Sequence, residues 1–468
     1  MDTVIKNGTI VTHRRTFRSD IGIRAGKIAR IAESIPGKKI IDASGMLIFP
    51  GIIDAHTHME TLVFAESCGK GIISSDDFYT GTRAAAAGGV TTIIDFTIQN
   101  KGESLKDSII RRKRQADKKV YIDYSLHCNI TDFDGNFLEE ISSIIESGIS
   151  GFKVFMAYRN DEIMVSDENL RLLLAETRKY GGVVQVHAEN GFLLDYFVDK
   201  FREEGKSKPI FHAKSRPDYV EEEAVVRAIK LAEETDGGLY LVHLSTEKSI
   251  EAVRWAKQKS IKVFAETCPQ YLLLNEGVYE RENGRYYITS PPLRGDNDRE
   301  ALWKGIEDGI IDVIATDHCP FTCAQKDGGE NIFFKIPNGL PGVETLLPTM
   351  YSEGVIKRGL ELTQLVKLLC YNPARIFGLY PKKGAIEEGS DADLVIFNLE
   401  EEMTMSASSL HSNTVFSPYE GLKIKGIPEI TISRGEIIYE REKFFGEKGR
   451  GQFVKAKPTI QSEIVQGT

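Results

Sequence analysis

Two histidines, His56 and His58, stand one residue apart in the run GIIDAHTH (51–58). In an extended strand, side chains at i and i+2 point to the same side, so both imidazoles aim at one place. Two converging neutral imidazoles suit a divalent metal ion. Three more ligand-type residues end apolar runs further along: His187 in VVQVHAE, His243 in LYLVHLS and Asp317 in DVIATDH. Lys153 sits inside GFKVFMAY (151–158), where its neighbours are apolar or aromatic. Burying an unpaired ammonium costs far more than packing recovers. This lysine therefore either leads its head group out of the strand end or has a chemical task. A single histidine at a strand end is more often a structural hydrogen-bonder, and His13, His127, His212, His318 and His411 are read that way. His56, His58, His187, His243 and Asp317 together read as a metal site. Cys319 and Cys323 lie four apart but lack a second Cys/His pair at zinc-knuckle spacing.

The elements that must position these residues are short apolar runs alternating with helical stretches. The runs are GIIDAHTH (51–58), GVTTIIDF (89–96), YIDYSLHCNI (121–130), GFKVFMAY (151–158), VVQVHAE (183–189), LYLVHLS (239–245), KVFAET (262–267) and DVIATDH (312–318). Helical patterns such as DENLRLLLAETRKYG and EEAVVRAIKLAEETDG separate them, the second ending at a Gly237-Gly238 stop. Eight βα alternations predict an α/β chain whose parallel sheet closes as a (β/α)8 barrel. An open doubly wound sheet would want a GxGxxG loop after its first strand, and none is present. One βα unit needs about 30 residues or more. The ligand spacings then place the candidates on strands 1, 4, 5, 6 and 8, at C-terminal ends, the face where barrel enzymes keep their chemistry.

The two chain ends differ in texture. VIKNGTIV carries an Asn-Gly signal for a hairpin. IGIRAGKIARI, AIEEGSDADLVIF and IPEITISRGEIIY read as strands and turns. These ends are expected to form one small β-sandwich, from residues 1–50 and 381–440, split by a barrel over 51–380. The polar stretch 441–468 is expected to be an extension, packed on a neighbour or disordered.

The composition, 41% hydrophobic and 27% charged over 468 residues, is that of a globular protein. A net charge of −9 argues against a general nucleic-acid or anionic-membrane surface. No signal peptide, membrane-spanning run or disulfide framework is read, which points to a cytoplasmic protein.

The chain resembles the amidohydrolase superfamily, and within it the cyclic amidases: dihydropyrimidinases and D-hydantoinases. The motifs that carry the likeness are DAHTH, GFKVFMAY, VHAEN, VHLS, ETCPQYLLL, SPPLR, ATDHCPF, PNGLPGVE and GSDADLVIF, with YEGLKIKG and SRGE near the end. The resemblance implies two divalent ions bridged by a carboxylated Lys153. His56, His58 and Asp317 would hold one, and His187 and His243 the other. Zinc is the first expectation, with manganese, iron or cobalt also suiting the donors. It further implies Tyr158 as oxyanion donor, Asp317 as general base and acid, and Ser290 and Asn338 as holders of the substrate ring. The substrate would be a cyclic diamide and the assembly a homotetramer or homodimer.

The pattern departs after His58, where the family's Leu-Pro-Phe-like stretch is replaced by Met59-Glu60-Thr61-Leu62-Val63-Phe64. This loop is expected to border the pocket for the ring substituent. Dihydroorotases carry an arginine two residues past His-x-His to bind a carboxylate; Glu60, at that place here, is expected to repel one. An allantoinase-like amidase and a non-catalytic scaffold relative are the alternatives, and the complete ligand set argues against the second.

Overall fold

The computed structural model describes residues 1–63, 71–133, 135 and 137–458. Its centre is a ring of eight strands: β1 (Ile52–Thr57), β2 (Val90–Phe96), β3 (Asp123–Asn129), β4 (Gly151–Phe155), β5 (Val183–His187), β6 (Gly238–Leu241), β7 (Val263–Thr267) and β8 (Val313–Ile314). They pair in chain order and in parallel. A parallel bridge between Thr57 and His318 closes the ring: the His58 N–H donates to the His318 carbonyl at 2.9 Å, and the His318 N–H to that of His56 at 3.2 Å. Each strand falls within one of the eight apolar runs, save that β6 begins one residue early at Gly238, because a barrel strand is covered on both faces and needs apolar side chains on both. The expected (β/α)8 barrel is therefore the observed one.

Helices α1 (Phe78–Ala87), α2 (Leu105–Ala116), α3 (Phe137–Ser147), α4 (Asp167–Lys179), α5 (Gly191–Glu203), α6 (Asp218–Thr235), α7 (Glu247–Gln258) and α8 (Asp296–Glu307) accompany the strands. Asp77, Ser104, Ser166, Asn190 and Thr246 cap α1, α2, α4, α5 and α7 through their side-chain oxygens. The end of α6 differs from the Gly-Gly expectation. Asp236 takes the left-handed turn (φ 52°), and Gly238 already belongs to β6. Gly237 is needed for closeness instead, since a Cβ there would lie 2.7 Å from the Leu174 carbonyl oxygen.

Both chain ends build a second, mixed β domain of two sheets. One has four strands, Lys27–Ala32, Asp20–Arg24, Thr3–Lys6 and Lys39–Asp42 in spatial order. The other has seven, with Leu394–Thr404 antiparallel to Leu47–Pro50 at its centre. Ile5, Ile10, Ile21, Ile28, Ile48, Leu394 and Ile432 share the core of this domain. The Asn7-Gly8 hairpin is not formed: Thr3–Lys6 and Thr9–Val11 enter different sheets. Asn7 does take the left-handed turn (φ 66°), and a Cβ on Gly8 would lie 2.6 Å from Ile48 Cδ1, so the pair makes a tight corner between sheets. The Ala25-Gly26 and Arg434-Gly435 turns do join antiparallel neighbours.

Part of residues 441–458 packs on the barrel of its own chain. Gln452 and Val454 exchange backbone hydrogen bonds with Tyr124 at 3.0 and 2.7 Å, and Ala456 donates to the Gly148 carbonyl at 2.9 Å. The polar texture of this segment hides a few buried anchors, Gly451, Val454 and Ala456. Residues 459–468 lie outside the described residues. Among the described residues no helix is long and apolar enough to cross a membrane.

Candidate metal centre

The C-terminal ends of the strands open into a cavity of 370 Å³, and His56, His58, Lys153, His187, His243 and Asp317 all line it. Tyr158, Ser290 and Asn338 line it as well. His56 leaves β1, Lys153 leaves β4 and His187 ends β5. His243 and Asp317 follow β6 and β8 by two and three residues. Tyr158, His243 and Asp317 have left-handed backbones, with φ of 63°, 41° and 51°. Non-glycine residues in that region cost of order 1–3 kcal/mol each and concentrate at functional sites.

The donor atoms fall into two groups. His56 Nε2 and His58 Nε2 lie 3.2 and 3.1 Å from Asp317 Oδ1. His187 Nδ1 lies 3.0 Å from His243 Nε2. Ligands about 2.0–2.1 Å from a tetrahedral ion sit roughly 3.3 Å from each other, so both spacings suit a shared cation. The protonation chemistry fits too. Burial pushes the His56 and His243 imidazoles well below their usual range, leaving the neutral form that binds metal. Burial pushes the Asp317 carboxyl up, but His56, His58 and Lys153 outweigh it and keep the group below its usual value. Lys153, 1% exposed, is pulled down to about 8 by burial. Its Nζ stands 5.5 and 5.4 Å from the ring centres of Phe96 and Phe155.

The histidines read as structural each have a structural partner. His13 stacks on Tyr371 with centroids 3.7 Å apart, His127 meets the Ala55 carbonyl at 3.1 Å, and His411 pairs with Glu344 at 2.7 Å. His318 closes the barrel and bonds Asp76 at 3.1 Å. His212 holds the Thr289 carbonyl at 2.7 Å, and its ring also lines the cavity. Cys319 and Cys323 are free thiols; the acid and histidine groups close enough to share an ion, among the described residues, contain no cysteine.

Glu60 does not do what its position suggests. It pairs with Lys119 beside the start of α1, while Thr61, Leu62 and Val63 line the cavity in its stead. Its left-handed backbone (φ 46°) swings the side chain outward, so its charge is spent on Lys119. Phe64 lies outside the described residues.

Several supporting residues escape a ligand search. Glu189 receives the His187 Nε2–H at 2.8 Å, which leaves Nδ1 free to face His243. Arg112, fully buried on α2, bonds Asp95 at the end of β2 and the Met59 carbonyl, and so fixes the chain just past His58. Glu266 on β7 lies 2.6 Å from His56 Nδ1. Glu189 and Glu266 carry a sequence signal, being carboxylates at the ends of apolar runs. Arg112 carries none, since it is one of five basic residues on α2.

Residues 47–438 match the amidohydrolase family. D-hydantoinase of Ralstonia pickettii is 42% identical over 461 residues, 98% of this chain and 99% of that one. D-hydantoinase of Rhizobium radiobacter is 43% identical over the same shares. The crystal structure of dihydropyrimidinase from Brevibacillus agri NCHU1002 superposes with a TM-score of 0.95 at 39% identity, covering 98% of this chain and 99% of the other. Barrel, cavity and likeness over nearly the whole length agree: the chain belongs to the amidohydrolase family, in its D-hydantoinase and dihydropyrimidinase branch.

Proposed function

We propose that the chain is a metal-dependent cyclic amidase. It would hydrolyse dihydropyrimidines or 5-substituted hydantoins to N-carbamoyl amino acids. The observation that carries this reading is the meeting of six ligand-type side chains from five strands in one cavity, five of them in two groups spaced for cations. Two bound divalent ions, zinc first among those that suit the donors, would lower the pKa of water and polarise the amide carbonyl. His56, His58 and Asp317 would hold one and His187 and His243 the other. Lys153 would complete the set: its neutral amine would take up carbon dioxide, a C=O π bond giving way to the N–C bond and the proton passing to solvent, and the anionic carbamate would supply carboxylate oxygens to the cations.

The chain's own residues then divide the reaction. Ser290 and Asn338 hold the amide edge of the ring. The half-buried Tyr158 hydroxyl, its pKa raised by desolvation, stays protonated and donates to the oxygen on which charge develops. Asp317 takes the proton of the attacking water and passes it to the ring nitrogen as the C–N bond breaks. Leu62, Val63, Phe155, Ile163 and Phe333 line the rest of the cavity. An apolar ring substituent suits these walls better than the ureido group of allantoin. A homotetramer or homodimer in the cytoplasm belongs to the same proposal, and light scattering on the purified protein tests its assembly.

The deciding experiment is a ring-opening panel of dihydrouracil, hydantoin, 5-substituted hydantoins, allantoin and dihydroorotate, run beside metal analysis. Opening of the substituted hydantoins with close to two divalent ions per chain is expected. No bound ion and no ring opening after metal and bicarbonate are supplied would sink the reading.

A further inference from the structure

Glu266 has no exposed surface, and it reaches from β7 to two other strands. Its Oε1 lies 2.6 Å from His56 Nδ1 and accepts from the His243 backbone N–H at 3.1 Å. Its Oε2 accepts from the Tyr240 hydroxyl at 2.8 Å, and Tyr240 on β6 is itself fully buried. With Nδ1 held against Glu266, the His56 ring presents its Nε2 to Asp317, 3.2 Å away. The same oxygen braces the His243 backbone in its left-handed turn. One carboxylate thus touches a residue from each half of the donor set.

We infer that Glu266, supported by Tyr240, is a positioning residue that fixes the ring orientation of His56 and the backbone of His243, and so sets how tightly the cavity holds divalent cations. The inference rests on the metal-centre reading above. A histidine ligand braced by a carboxylate is more basic and better oriented than an unbraced one, and losing such a partner weakens metal affinity about 10–100-fold. Glutamine at 266 keeps the shape but loses the charge, and it can offer its amide N–H to the histidine instead of an acceptor.

The test uses metal-stripped wild-type, Glu266→Gln and Tyr240→Phe chains, titrated with zinc ions alone against a chromophoric chelator, with melting followed before and after zinc. Wild type should take up two ions. Glu266→Gln should bind zinc about 10–100-fold more weakly, and its zinc-induced rise in melting temperature should shrink while the metal-free melting temperature stays near wild type. Tyr240→Phe should weaken the same binding by a smaller factor. Wild-type zinc affinity in Glu266→Gln overturns the inference. So does an equal loss of melting temperature with and without zinc, which would mark a purely structural role. Should Glu266→Gln not fold, Tyr240→Phe decides, and unchanged zinc binding there overturns the inference. If wild type itself takes up no zinc, the metal-centre reading falls and this inference with it.

Discussion

Truncating Lys153 deletes a buried amine whose charge is felt by His56 and His243 alike. Lys153→Ala should therefore cost both activity, by more than about a hundredfold, and bound metal. A short-chain carboxylate supplied with metal should restore part of the activity, because it replaces the oxygens that the carbamate would provide. Wild-type activity and metal content in the variant would refute the bridging role. Tyr158→Phe tests the residue three positions past the end of the same strand. It removes one donor to the developing oxyanion, so kcat should fall about 10²–10³-fold with metal content unchanged; a matching loss of metal would mean that the ring only supports His187, 5.1 Å away. At this scale the ligand candidates were legible because each is a polar residue within or at the end of an apolar run. Arg112 and Tyr240 were not. An arginine among the basic residues of a helix and a tyrosine in an apolar strand look ordinary until packing shows which atoms they reach.

β4 must bring Lys153 to its place without a bulge, and Gly151 at its start allows this. A Cβ on Gly151 would lie 2.3 Å from His127 Nδ1 and 2.5 Å from Gln185 Nε2, both buried side chains of the flanking strands. Gly151→Ala should destabilise the protein by about 1–3 kcal/mol and lower activity by shifting the strand. Unfolding and activity measured on one preparation check both, and a variant as stable and active as wild type would show that the neighbours yield freely. The strands themselves were easy to read, since two-sided burial demands apolar runs. Their connections were harder. The Asn7-Gly8 corner has the local chemistry of a hairpin, and only the burial of Ile5 and Ile10 between two sheets sends its arms apart. Glu60 was misleading for a related reason: its place in the sequence is beside a ligand, but one left-handed residue points it at Lys119.

Barrel and β domain are joined by buried charge. Lys383, 1% exposed, lies 2.6 Å from Asp123 at the start of β3, 2.6 Å from Asp393 and 3.1 Å from Asp391. Three buried acids in such proximity could hold a cation, and here the ammonium fills that role. Lys383→Met would remove the buried cation that the three carboxylates share, leaving Asp391 with Lys27 and Asp123 with Arg434, and should cost about 3–5 kcal/mol in urea unfolding. Burial alone would lower the Lys383 pKa, but Asp393, Asp123 and Asp391 raise it above 10.5. A group raised on folding stabilises fully below its unfolded value and loses that contribution as pH climbs through the folded one. The gap between wild type and variant should thus persist through neutral and mildly alkaline pH and close only above about pH 10.5; a gap that closes near neutrality would contradict the ion cluster. The pairing of Leu394 with Pro50 also has a consequence in time. A ribosome delivers residue 394 long after residue 50, roughly 20–70 s later at 5–20 residues per second. Until then the strand Leu47–Pro50 has one edge without its partner, and open strand edges invite pairing with other chains. Nascent chains halted before residue 394 should yield residues 3–50 to protease, and chains carried past residue 433 should protect them. For this fold, the order of manufacture makes the first strands built among the last to be completed.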